Sequence, residues 1–196
     1  MMRIGSKLLA LGIFVAAAST TLNPTATGAQ QGASEPLYLP GHNYDLPATL
    51  IAAADLQAAK TKMLAAKTND VPVKMVNMGG LGGKHQMGVS LVYRLKGETN
   101  SYAVHDQVAE VYHVLEGSGT LLLGGKLKDA KRRPISGGNG PGLSGDVAEG
   151  SVEMHIAKGD VLIIPAGTPH KVKMTDEFML YTVVRADPDG VTPLLK

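Results

Sequence analysis

The chain predicts an all-β fold, a closed barrel or double-sheet jelly roll with one helix ahead of it. Seven short runs rich in β-formers follow one another from Val71: VPVKMVNM, MGVSLVYRL, EVYHVL, GTLLLGG, VEMHIA, DVLIIPA and FMLYTVV. Gly, Pro, Asn or Asp separates them, and no convincing helix intervenes. The composition agrees: 24 Gly and 11 Pro, 4% aromatic residues and no Trp suit strands joined by tight turns better than a helical bundle.

Residues 1–29 read as a secretory signal peptide. Arg3 and Lys7 give a positive start, Leu8 to Ala18 is apolar, and a small-residue stretch follows. That apolar run is too short to span a bilayer, and cleavage is expected between Ala26 and Gln31. The mature protein is expected to be periplasmic or secreted, without a membrane anchor. Residues 30–69 form an N-terminal leader and helix. The leader, QQGASEPLYLPGHNYDLP, is extended, and Ala48 to Lys67 is predicted helical after Pro47. Leu56, Ala59 and Met63 share one face of that helix, which should pack on the barrel. The barrel occupies residues 70–196. Lys126 to Gly150, with five basic residues in its first eight and a Gly-rich tract behind them, reads as a long solvated excursion from it.

The 19 Lys+Arg exceed the 17 Asp+Glu only through the two basic residues of the signal, so the mature chain is formally neutral. Nucleic acid is therefore not implied as a partner. With no Cys, there are no disulfides and no thiolate ligands, and any metal must be held by nitrogen and oxygen.

Two stretches carry the functional signal. The first runs from Gly97 through His105 and Glu110 to Gly117, the second from Gly159 through Pro165 and Gly167 to His170. They follow the spacing of the two cupin motifs, G-x5-H-x-H-x4-E-x6-G and G-x5-P-x-G-x2-H-x3-N. Two positions depart: Ala103 stands for the first His, and Met174 for the final Asn. Over about residues 70 to 188 the chain resembles small secreted single-domain bacterial cupins of the type 2 conserved-barrel kind, a group not tied to one established reaction.

The resemblance implies a cupin jelly-roll β-barrel with a divalent transition metal inside, held by His105, Glu110 and His170. Gly117 would end the first motif's strand in a turn, and Pro165 to Pro169 would form a rigid turn that aims His170. Such a set of two imidazoles and one carboxylate accepts Fe, Mn, Zn, Ni or Cu, and it keeps coordination positions open. Because Ala103 removes the usual fourth ligand, three readings arise. The site works with three ligands, or His85, His113 or His155 substitutes, or the site has degenerated. The first is taken, since three ligands in register still form a facial triad.

Strand alternation aims His113 outward and Tyr112 inward, where its phenol could lie beside the ligands or touch substrate. His85 and His42 read as surface residues, His155 could face either way, and Tyr93 reads as core. The function expected is an exported metal-dependent enzyme, dioxygenase-like, acting on a small organic molecule. A non-catalytic small-molecule or sugar binder is the alternative, as is a metal-dependent isomerase or lyase. A homodimer is expected, with Leu37, Tyr38 and Leu39 able to cross to the partner.

Overall fold

The computed structural model describes residues 47–79, 83–97, 100–135 and 139–193. The chain divides into two units, residues 1–36 and residues 37–196, and the first lies wholly outside the described residues. The expected signal peptide, His42 and Leu37 to Leu39 therefore also lie outside them.

One helix, α1 (Ala53–Ala66), precedes the strands. It begins five residues later than Ala48, because Asp55 supplies the start signal. Its carboxylate accepts the Ala52 N–H at 2.8 Å, a capping contact that Pro47 cannot provide. The helix stops where Lys67 turns left-handed at φ 50. Ala59 and Met63 are buried as expected and pack with Val71, Leu91 and Leu180, while Leu56 is only half-buried. Lys60 adds an ion pair to Glu116 at 3.0 Å.

Eleven strands follow: β1 (Asp70–Gly79), β2 (His85–Leu95), β3 (Tyr102–His105), β4 (Ala109–Leu123), β5 (Lys126–Leu127), β6 (Lys131–Arg133), β7 (Gly142–Gly145), β8 (Ala148–Glu149), β9 (Val152–Ala157), β10 (Val161–Ile164) and β11 (His170–Asp187). All their pairings are antiparallel. The main sheet runs β1-β2-β11-β3-β7-β6, and β4 pairs β11, β10 and β9. The long strands β4 and β11 are thus the shared spine. Their inward residues, among them Tyr112, Val114, Leu121, Met179, Tyr181 and Val183, form the barrel core.

Two sequence expectations need correction. Gly117 does not end a strand, because β4 runs through it from Ala109 to Leu123. It has φ +74, and an added Cβ would lie 2.0 Å from the Phe178 carbonyl oxygen. Only glycine tolerates both conditions, and the pairing with β11 slips in register here. The irregularity lets one strand serve two partners: residues 110–113 pair β10, and residues 118–123 pair β9.

Residues 126–150 are the second correction. In place of a solvated excursion they hold β5, β6, β7 and β8, and β7 pairs β3 from Tyr102 to His105. The basic residues that suggested a solvated loop are partly spent in pairs: Lys128 contacts Glu149 and Arg132 contacts Asp106.

Candidate metal centre

Each proposed ligand is placed by a different local device. Glu110 comes second in β4, where alternation turns it and Tyr112 inward while His113 faces out. His105 ends β3 and is fixed by pairing with Gly142 of β7. His170 opens β11 directly after the Pro165–Pro169 turn. The Gly167 N–H of that turn donates to the His105 carbonyl at 2.7 Å, so the two histidine segments are stapled together before their side chains are considered.

The three side chains converge. His105 Nε2 lies 3.5 Å from Glu110 Oε1, and His170 Nε2 lies 3.2 Å from Glu110 Oε2. One ligand atom from each residue falls within 4.8 Å of the others, and this is the group among the described residues that could hold a metal ion. All three are buried. None of the candidate substitutes approaches: His85 and His113 are exposed, and His155 is exposed beside Asp176 at 3.0 Å. Ala103 is half-buried, registers with His170 across the β3–β11 pair, and lines the same cavity.

The hydrogen bonds decide what these atoms can do. His105 Nδ1 contacts the Asn139 carbonyl at 2.9 Å, and His170 Nδ1 contacts the Thr168 carbonyl at 2.9 Å. A carbonyl only accepts, so each Nδ1 carries the proton, and a neutral ring then presents a bare lone pair at Nε2. Burial lowers the His105 imidazole to about 4, against the smaller opposing pull of Glu110, and it is neutral at pH 7. Burial pushes the Glu110 carboxyl up, but a hydrogen bond from His170, given when that ring carries a proton at Nε2, and the Arg185 guanidinium more than offset this and hold it well below the usual carboxylate range.

With both rings neutral, acceptors therefore face acceptors at a buried site. A proton on one ring satisfies one of the two Nε2–carboxylate contacts, whereas a divalent cation would answer all three ligand residues at once. The donor set fits a nitrogen- and oxygen-binding transition ion.

Sequence reasoning anticipated Tyr112 beside Glu110 but missed Arg185. Arg185 Nε donates to Glu110 Oε1 at 2.8 Å, Nη1 to Ser90 Oγ at 2.7 Å, and Nη2 to Asp70 Oδ2 at 3.1 Å. The Tyr112 hydroxyl donates to Glu110 Oε2 at 3.0 Å, which gives the inward phenol a definite role. One available signal for Arg185 was parity, since it continues the buried alternation of Met179, Tyr181 and Val183 along β11. The cavity above the cluster measures about 430 Å³.

No protein-family model matches the chain, and no curated protein does. Similar solved structures include an RmlC-like cupin family protein with a double-stranded β-helix fold from Methanocaldococcus jannaschii. It is 16% identical over 62% of this chain and 82% of that one, with a TM-score of 0.36. A cupin protein from Bacteroides fragilis is 15% identical over 56% and 72%, with a TM-score of 0.34. A Bacillus halodurans protein is 16% identical over 75% and 86%, with a TM-score of 0.44. These likenesses concern fold and carry nothing about activity. The strand pairing itself makes this an all-β, cupin-type jelly-roll barrel with a helix ahead of it.

Proposed function

We propose that the chain is an exported, metal-dependent cupin whose His105, Glu110 and His170 hold one divalent transition ion, and that it is an oxidoreductase of the dioxygenase kind acting on a small organic molecule. The observation that carries this reading is the meeting of two Nε2 lone pairs and a carboxylate with their other polar atoms already committed.

A bound ion would supply Lewis acidity and, if redox-active, a route for electrons between an organic substrate and O₂. The chain's own residues supply the rest. The two backbone carbonyls fix the tautomers of His105 and His170, and Arg185 and Tyr112 orient the carboxylate. Ala103, where the motif has a histidine, leaves space on the cavity side for a substrate oxygen. The ligands themselves are buried, so the ion would sit away from bulk solvent.

Export and pairing into a homodimer belong to the same proposal. The charged start and apolar run of residues 1–29 support the first, and Val161 and Ile163, exposed on β10, support the second. Among the described residues, no helix is long and apolar enough to cross a membrane.

The test is elemental analysis of protein purified without an affinity tag, followed by oxygen-consumption assays against phenolic and sugar-derived compounds. Stoichiometric redox-active metal with substrate-dependent oxygen uptake supports the reading. Metal without oxygen uptake supports the isomerase or lyase class, and an empty, inert site supports the binder.

A further inference from the structure

The cavity above the cluster carries more positive charge than the cluster uses. Arg185 is spent on Glu110 and Asp70. Arg94, Arg133 and Lys171 also line the cavity, and none of the three forms an ion pair among the described residues.

Arg94 is the most telling of them. Its Nε is buried without a hydrogen-bond partner, an unsatisfied donor at the cavity wall. The guanidinium is also tied to the hydroxyl of Tyr181 and is therefore held in place. Lys171 Nζ stands 4.9 Å from the centre of the Tyr102 ring, a cation held over an aromatic face at the cavity wall. Arg133, on β6, lines the same cavity as Arg94, Lys171 and His105.

Three cationic residues lining one open cavity, with one buried N–H unmet, make an anion receptor. We propose that the substrate of this site is a small organic acid whose carboxylate is seated by Arg94 and Lys171, with Arg133 adding charge at the rim, while its reacting end points toward His105, Glu110 and His170. This rests on the metal reading for what happens at the reacting end, but the anion seat is built by residues outside the ligand set.

Calorimetric titration of the full mature chain tests this, with succinate, inorganic phosphate and neutral succinamide as probes, on metal-loaded and chelator-treated protein. Succinate is expected to bind both preparations and succinamide neither. Arg94→Gln is expected to weaken succinate binding about tenfold or more, the loss of one charge-assisted contact. Because Arg94 also holds buried Tyr181, Lys171→Gln is the second variant: it removes a half-buried wall charge and is expected to give a loss of similar size.

Succinate bound by chelated protein and weakened in both variants supports the anion seat even if the chain takes up no metal, in which case only the metal reading fails. Phosphate bound more tightly than succinate, with the same losses in both variants, overturns the carboxylate assignment. Binding that disappears on chelation and ignores both substitutions overturns the seat altogether, because the acid would then be held by the metal alone.

Discussion

Glu110 is 2% exposed and yet ionised, so its charge must be answered by its neighbours. Arg185 and Tyr112 answer part of it, and each can be removed separately. Tyr112→Phe takes away one donor to Oε2 with little change of shape and is expected to lower metal affinity about tenfold or more, measured by competition with a chelator of known affinity. Arg185→Gln is harsher, because it strands Glu110 and Asp70 together. Loss of one partner from a buried ion pair costs about 3–5 kcal/mol, so this variant is expected to show a lower denaturation midpoint as well as weaker metal binding. Ala103→His makes the opposite change, restoring a fourth imidazole beside His170. It is expected to tighten metal binding and slow turnover by filling an open position, and unchanged affinity would show that this position does not face the ion. His105, Glu110 and His170 were legible in the sequence because two gapped motifs fix their spacing. Arg185 was not, because parity gives only its direction, while its partner Asp70 lies 115 residues away in the chain and meets it only after the sheet forms.

At the scale of elements, β4 works because it bends without breaking. Gly117→Ala puts a Cβ into the Phe178 carbonyl and forces a left-handed residue with a side chain. It is expected to destabilise the fold by upward of about 2 kcal/mol in urea denaturation, and a neutral result would mean the irregularity is soft. Sequence reasoning took Gly117 for a turn because a positive-φ glycine marks turns and bulges alike, and only the pairing partner distinguishes them. The start of α1 was misplaced for a similar reason, since Pro47 and Asp55 are both start signals and only the hydrogen bond chooses between them.

The end of β11 gives a pH dependence. Burial would raise the Asp187 carboxyl, but the Thr192 hydroxyl at 2.6 Å and the Thr192 and Val191 N–H groups at 2.8 and 3.0 Å outweigh it and hold the group below its ordinary value. A lowered carboxyl contributes stability that is present above the unfolded value of about 3.9 and is lost as pH falls through the folded one. Asp187→Asn is therefore expected to lower Tm at pH 7 and to converge on the wild type as the pH drops below about 4. A constant gap at every pH would show that the carboxylate charge is not what holds the turn.

In the whole molecule, barrel closure makes the site. His105 and Glu110 are near in sequence, but His170 reaches them only because β11 pairs both β3 and β4. Motif spacing and strand alternation carried the class of fold and the converging trio. They left out the β5 to β8 segment, whose basic, Gly-rich composition hides strands that pair non-locally. A homodimer is expected to give twice the monomer mass in light scattering at micromolar concentration, and a monomeric mass would count against it. A single ion shared by β3, β4 and β11 should also raise Tm on addition of metal to chelated protein. The central claim is that His105, Glu110 and His170 hold one ion, and metal content of His170→Ala beside the wild type tests it most directly. The expected result is one metal per chain in the wild type and none in the variant, with the β-sheet circular dichroism spectrum retained in both. A variant that stays folded and keeps its full complement of metal would contradict the claim.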